Sequence, residues 1–147
     1  MQPAMHVLGI DMAKHVLHAV GMENTGEIVF RKRLSRHDLM PCMAKLPPVL
    51  IGMAACGGAH DWARRFREPG HKVKRMAPQC VKPYVKSNKH DRRDAEAIAA
   101  AVPRPTRRFV PATDVDQQDM QALHRGRERL RGERTALVHA VHGWLHA

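Results

Sequence analysis

The chain has 147 residues, 44% of them apolar but only 4% aromatic, which excludes wholesale disorder and demands one modest core built from Ala, Val, Leu, Ile and Met. Its formal net charge of +11 is unevenly placed: residues 71–110 carry eleven Lys/Arg against three Asp/Glu, residues 1–70 nine against six, and residues 111–147 five against five. So concentrated a positive field favours a polyanion, while three cysteines without a CxxC pair and the lack of any long apolar run argue against a disulfide framework, a cysteine zinc site and membrane insertion.

Residues 5–12, MHVLGIDM, read as a buried strand, and HVLHAVGM at 15–22 continues in extended form. ENTGE at 23–27 is a turn in which Gly26 is free to take positive φ, and EIVFRKRL at 27–34 returns as a third strand of an antiparallel meander. Ser35 followed by Asp38 fits a capping box and predicts a helix over 36–45, stopped by Pro47 and Pro48. VLIGMAA then reads as a buried strand and Cys56-Gly57-Gly58 as a strand-to-helix corner. HDWARRFREPG follows as an amphipathic helix closed by Pro69 and Gly70, and KVKRMA at 72–77 as another strand. From Pro78 a helical region is interrupted at Pro83 and resumes as a firm helix over 91–102, ended by Pro103 and Pro105. The order β-β-β-α-β-α-β-α implies an α/β fold, a mixed sheet with helices on its faces.

Thr113 and Asp116 form a second capping-box pattern, and a long polar helix follows. The expected division is a domain over 1–112 and a helical extension over 113–147. Along the extension Leu123, Leu130, Leu137 and Trp144 recur every seven residues, beside a seam of Met120, Arg127, Arg134 and Val141. A coiled coil and an amphipathic helix packed on its own domain both satisfy that pattern.

The chemistry centres on KSNKHDRRDAEAIA, residues 86–99, which sets Asp91 and Asp94 three apart on one helical face inside the most basic part of the chain. Pairing with Lys89, Arg92 or Arg93 is one explanation. A third carboxylate, Asp11, lies inside the apolar first strand, where a charged side chain requires a partner, a metal or a route to solvent. Carboxylates gathered from a strand and a facing helix suit hard divalent cations, and phosphoryl-transfer sites hold such metals between carboxylates. Lysines and arginines would then hold a phosphate backbone while the aspartates hold the metal that acts on it.

LGIDMAKH, MAACGGAHDWARRF, GHKVKRMAPQCVKPYVKSNKHDRRDAEAIAAAV, RPTRRFVP and QQDMQALHRGRERL together resemble the N-terminal domain of the DEDD transposases of the "IS one-ten" insertion-sequence family. The resemblance covers nearly the whole chain. It implies an RNase H-like (RuvC-like) fold and a Mg²⁺-dependent (or Mn²⁺-dependent) DNA strand-exchange enzyme. It also implies a structured guide RNA as a partner beside DNA, a homo-oligomer in the full-length protein, and a cytoplasmic, nucleoid-associated location away from membranes. The motif's first Asp falls on Asp11 and its last two on Asp91 and Asp94, which are then the expected catalytic residues and metal ligands. The motif Glu does not survive: the family pattern Met-Glu-Ala-Cys-Gly-Gly is here Met53-Ala54-Ala55-Cys56-Gly57-Gly58, and Ala54 has no ligand atom. An impaired site follows as an expectation, with a non-catalytic nucleic-acid-binding remnant as the alternative. The family's C-terminal serine domain has no counterpart here, since neither Ser35 nor Ser87 stands in a matching context, and the chain reads as a fragment.

The expected nucleic-acid contacts are Lys72, Lys74, Arg75, Lys82, Tyr84, Lys86, Lys89, Arg92, Arg93, Arg107 and Arg108, with Tyr84 as a stacking platform. Other residues carry less. His15 and His18 fall on opposite faces of a strand, and Trp62 is expected to pack its helix onto the sheet. His139, His142 and His146 share a helical face that is better read as solvated, and His60 suits Mg²⁺ poorly as a substitute for the motif Glu.

Overall fold

The computed structural model describes residues 4–13, 15–85, 91–104 and 108–146, except for the side chains of Asp91 and Arg92. Among these residues six strands form one sheet in the order β3-β2-β1-β4-β5-β6. The strands are β1 (Val7–Met12), β2 (Leu17–Met22), β3 (Ile28–Leu34), β4 (Leu50–Ala54), β5 (Lys72–Met76) and β6 (Phe109–Val110). The first three make the expected antiparallel meander; β4 and β5 run parallel to β1, and β6 returns antiparallel along β5. The strand-helix order through residue 101 is the one expected from hydrophobic periodicity. β6 was not anticipated, because two residues are too few to establish a period.

Local chemistry explains the joints. Gly26 takes φ 88° in the β2–β3 turn, where its N–H donates to the Glu23 carbonyl at 3.0 Å. Helix α1 (Arg36–Ala44) opens on Ser35, whose Oγ accepts from the Asp38 N–H at 3.2 Å and donates to the Asp38 carboxylate at 2.6 Å. Helix α2 (Ala59–Arg67) ends before Gly70, at φ 93°. Short helix α3 (Pro78–Val81) passes into a 3₁₀ turn at Lys82–Tyr84, so Pro83 breaks the region where expected.

The sheet is covered on both faces, and strand alternation decides which side chain goes where. Leu8, Ile10, Leu17, Ala19, Ile51 and Met53 point to one face and pack with Leu39 and Met43 of α1 and Trp62, Ala63 and Phe66 of α2. Trp62 is buried there and stacks on Phe66 at 5.6 Å, as its position in the amphipathic pattern predicts. Val7, Val20, Met22 and Met76 point to the other face, against Ala95, Ile98, Ala99 and Val102 in and just beyond α4 (Asp91–Ala101). Ile98 and Val102 are nearly fully buried, each contributing roughly 1.5–3 kcal/mol of apolar burial.

Two glycines allow α4 to lie close. A Cβ at Gly9 would strike the backbone of Ala95 and Ala99, and one at Gly52 would strike Val102 and Ile98. Small residues on both partners, Gly9 and Gly52 on the strands and alanines on the helix, therefore set the separation between α4 and the sheet. His71, which sequence reasoning passed over, is a buried clasp: its Nδ1 accepts from the Val49 N–H at 3.2 Å and its Nε2 lies 3.1 Å from the Met43 carbonyl oxygen. It ties the start of β4 to the end of α1.

The chain divides into two units, Met1–Ala112 and Thr113–Ala147. The second is α5 (Val115–Leu145), and its cap sits one residue beyond the expected one. Asp114, not Thr113, accepts from the Gln117 N–H at 2.7 Å, and the Gln117 side chain accepts from the Asp114 N–H at 3.2 Å. Leu123, Leu130, Leu137 and Trp144 are 61–74% exposed along it. None of the described helices is long and apolar enough to cross a membrane.

Candidate active site

Asp11 is the fifth residue of β1 and is only partly buried. Its side chain shares a face with Gly9, two residues earlier, and Gly9 faces α4. The direction of α4 follows from what each of its ends touches. Its C-terminal end lines a hollow with His6, Val7 and Met22, while Arg93 and Glu96, in its first turns, line another with His18 and Val20. Since Met22 pairs with Val7 and His18 with Asp11, α4 runs antiparallel to β1, and its first turns lie at the Asp11 end.

Asp94 is partly buried and sits one turn before Ile98, in line with the stripe that α4 turns to the sheet. Asp91 opens the same helix one turn before Ala95, but its side chain lies outside the described residues. Position 54 belongs to the same end. Gly52 faces α4, so Ala54 does too, and it packs in the α4-side core. Asp11 and Ala54 each stand one residue past the last β1–β4 pair, Ile10 with Met53. The strand aspartate, the alanine at the motif Glu position and the second helix aspartate thus share one face at one end of the sheet.

His60 does not fill the gap left by Ala54. It rides on α2, which packs on the opposite face. Among the described residues no group of three or more His, Cys, Asp and Glu side chains is gathered closely enough to hold a metal ion. The donor set near Asp11 is nevertheless carboxylate oxygen, the ligand type that hard divalent cations take.

The basic residues divide by strand parity. Lys72 and Lys74 are exposed on the α4 side of β5, Lys74 with its ammonium 4.3 Å from the centre of the Phe109 ring. Lys82 and Arg108 are exposed, and Tyr84 and Arg93 partly buried. Lys86, Lys89 and Arg107, and the side chain of Arg92, lie outside the described residues.

Arg75 requires a correction. It is 2% exposed and therefore unavailable to nucleic acid. It shares strand parity with Val73, which packs on the α2 side, so alternation sends it inward while Lys72 and Lys74 point away. Its Nη2 donates to the Pro111 carbonyl, but its Nε and Nη1 find no acceptor among the described residues. Burial, aided by the Arg67 charge, holds this guanidinium below the usual arginine range. The signal was present in KVKRM, where charge counting outweighed alternation.

The family model described as Transposase, for DEDD transposases of the IS110 kind, matches residues 8–147. A probable family 20 transposase of Pseudomonas aeruginosa is 48% identical over 138 residues, covering 94% of this chain and 41% of that protein. The transposase for insertion sequence element IS1111A of Coxiella burnetii is 44% identical over 139 residues, covering 95% and 38%. The chain therefore spans about two fifths of the length of these relatives. Among solved structures, T. thermophilus RuvC in complex with Holliday junction substrate superposes with a TM-score of 0.57 at 13% identity, over 73% of this chain and all of that one. That likeness establishes the RNase H-like fold expected from the sequence.

Proposed function

We propose that this chain, which belongs to the DEDD transposase family, supplies the carboxylate part of a DNA strand-cleaving and strand-exchanging centre. Asp11 and Asp94, with Asp91, would hold Mg²⁺ or Mn²⁺. The observation that carries this reading is the close antiparallel crossing of α4 over β1, which puts Asp11 and the first turns of α4 at one end of one face. A divalent cation there supplies Lewis-acid polarisation of a phosphodiester and neutralises charge on its oxygens.

The chain's own residues do the rest. β1 fixes Asp11 on a strand paired on both sides, so its carboxylate is held on a rigid element. Lys72, Lys74, Lys82 and Arg108 offer exposed cations for backbone phosphates, and Tyr84 offers a ring for base stacking. The solved RuvC of like fold is bound to a Holliday junction, which supports DNA as the partner here. A structured guide RNA would share the basic surface, and a second copy would pair along the exposed heptad seam of α5 in the full-length protein. A cytoplasmic, nucleoid-associated location follows from that function.

Ala54 favours a second reading, a nucleic-acid-binding domain without chemistry, because a missing carboxylate weakens or misplaces a metal. Titration calorimetry with Mn²⁺ separates the two. Heat that disappears in Asp11→Asn supports the metal centre. No heat at millimolar metal, in the parent and in Ala54→Glu alike, overturns it.

A further inference from the structure

We propose that the cavity between β2, β3 and the first turns of α4 is a seat for a DNA phosphate, adjacent along the strand to the phosphate at the carboxylates. The proposal rests on the reading above and extends it to residues outside the basic segment. The cavity has a volume of about 320 Å³, and His18, Arg31, Arg33, Arg93 and Glu96 line it. Arg31 and Glu96 offset each other there, and Arg33 adds positive charge beyond that pair.

Strand register ties it to the centre. His18 pairs with Asp11 on β1 and with Arg33 on β3, so Asp11, His18 and Arg33 form a row across one face of the sheet. With adjacent strands about 4.8 Å apart, Arg33 stands roughly 10 Å from Asp11, near enough for one nucleic-acid strand to reach both. Arg31 lies in the same parity as Arg33, and its guanidinium is 3.6 Å from Glu96. That ion pair orients Arg31, and Arg33 adds a further cation beside it.

The chemistry selects phosphate. Arginine forks match the oxygens of a phosphodiester, and several converging on one cavity favour an anion with several acceptor atoms. The His18 Nδ1 is buried and has no hydrogen-bond partner among the described residues, although a buried ring nitrogen ordinarily has one. A bound phosphate oxygen would meet that requirement. Arg31 and Arg33 also account for cations in β3 that the charge count over residues 71–110 leaves out.

The test is fluorescence anisotropy of labelled single-stranded DNA with the 147-residue chain, in EDTA, over a series of salt concentrations. Arg33→Gln combined with Arg93→Gln should weaken binding about tenfold, as loss of charged hydrogen bonds does. It should also lower the salt slope by about 0.7–1. Arg36→Gln with Lys45→Gln removes as much charge from α1 and its C-cap, on the opposite face, and should weaken binding far less. Glu96→Gln should tighten binding, a gain that a folding defect cannot produce.

Equal losses from the two pairs, or no gain from Glu96→Gln, overturn the seat. A loss confined to RNA of the same sequence overturns its assignment to DNA. If the parent chain binds no single-stranded DNA, both the seat and the nucleic-acid reading fall. Because EDTA removes divalent metal, a negative metal titration leaves this result untouched, and the two failures are distinguishable.

Discussion

Restoring the motif carboxylate tests the geometry of the centre most directly. Ala54→Glu places a carboxylate on β4 beside Asp11 on β1, across one strand spacing and on the same face. Two like charges about 5 Å apart in an effective dielectric of ~20 repel by about 3 kcal/mol. For a unit the size of Met1–Ala112, where 1 kcal/mol moves Tm by about 4 °C, that is a fall of roughly 10 °C without metal. Ala54→Gln has the same bulk without the charge, so the difference between the two variants isolates the repulsion. A divalent cation at a hundredfold excess over its Kd adds about 2.7 kcal/mol, which should close most of that gap. Thermal melts by circular dichroism in EDTA and in Mg²⁺ read both effects. If the Glu and Gln variants melt together in EDTA, position 54 does not face Asp11. If Mg²⁺ leaves the Glu variant where it was, the carboxylates do not form a metal site.

Other perturbations probe the supporting structure. Gly9→Ala drives a methyl into the backbone of Ala95 and Ala99, and urea denaturation should show a loss of about 1–3 kcal/mol or more, with Mn²⁺ heat falling as Asp94 is displaced; an unchanged midpoint would refute the close crossing of α4. Leu130→Lys with Leu137→Lys should reduce any self-association seen by sedimentation while leaving the melting of Met1–Ala112 unchanged, whereas a parent chain that is monomeric at high concentration removes the pairing role of α5. The Ser35 hydroxyl holds the Asp38 carboxyl below its ordinary 3.8, so this link stabilises the fold above that pH and is lost as pH falls through the lower folded-state value. Ser35→Ala should therefore return Asp38 toward 3.8 in an NMR titration and destabilise the chain at neutral pH more than in acid.

The sheet and its helices were legible because each rests on a local rule. Alternation in VLGIDM and LHAVGM, Gly26 in its turn, Ser35 as a cap and Pro83 as a break all act within a few residues. The site residues Asp11, Ala54, Asp91 and Asp94 were picked out by the pattern they share with a family, and Asp11 also by being a charge inside an apolar strand. Arg75 and His71 were misjudged or missed for a common reason. Whether a polar side chain on a strand or at its edge faces solvent or core depends on which elements cover that face, and composition is blind to that. The same blindness hid the cavity at His18, Arg31 and Arg33, whose members are spread over β2, β3 and α4.

By itself, then, the order of residues determined the strand and helix sequence through α4, the placement of most caps and turns, and the presence of a carboxylate at position 11 with none at 54. Only the folded chain decided that α4 crosses β1 in the reverse direction at glycine distance, and so which end of the sheet receives Asp94. Periodicity acts over a few residues and specifies faces, while the pairing of faces far apart in the chain is settled by which packing buries the most apolar surface without a clash.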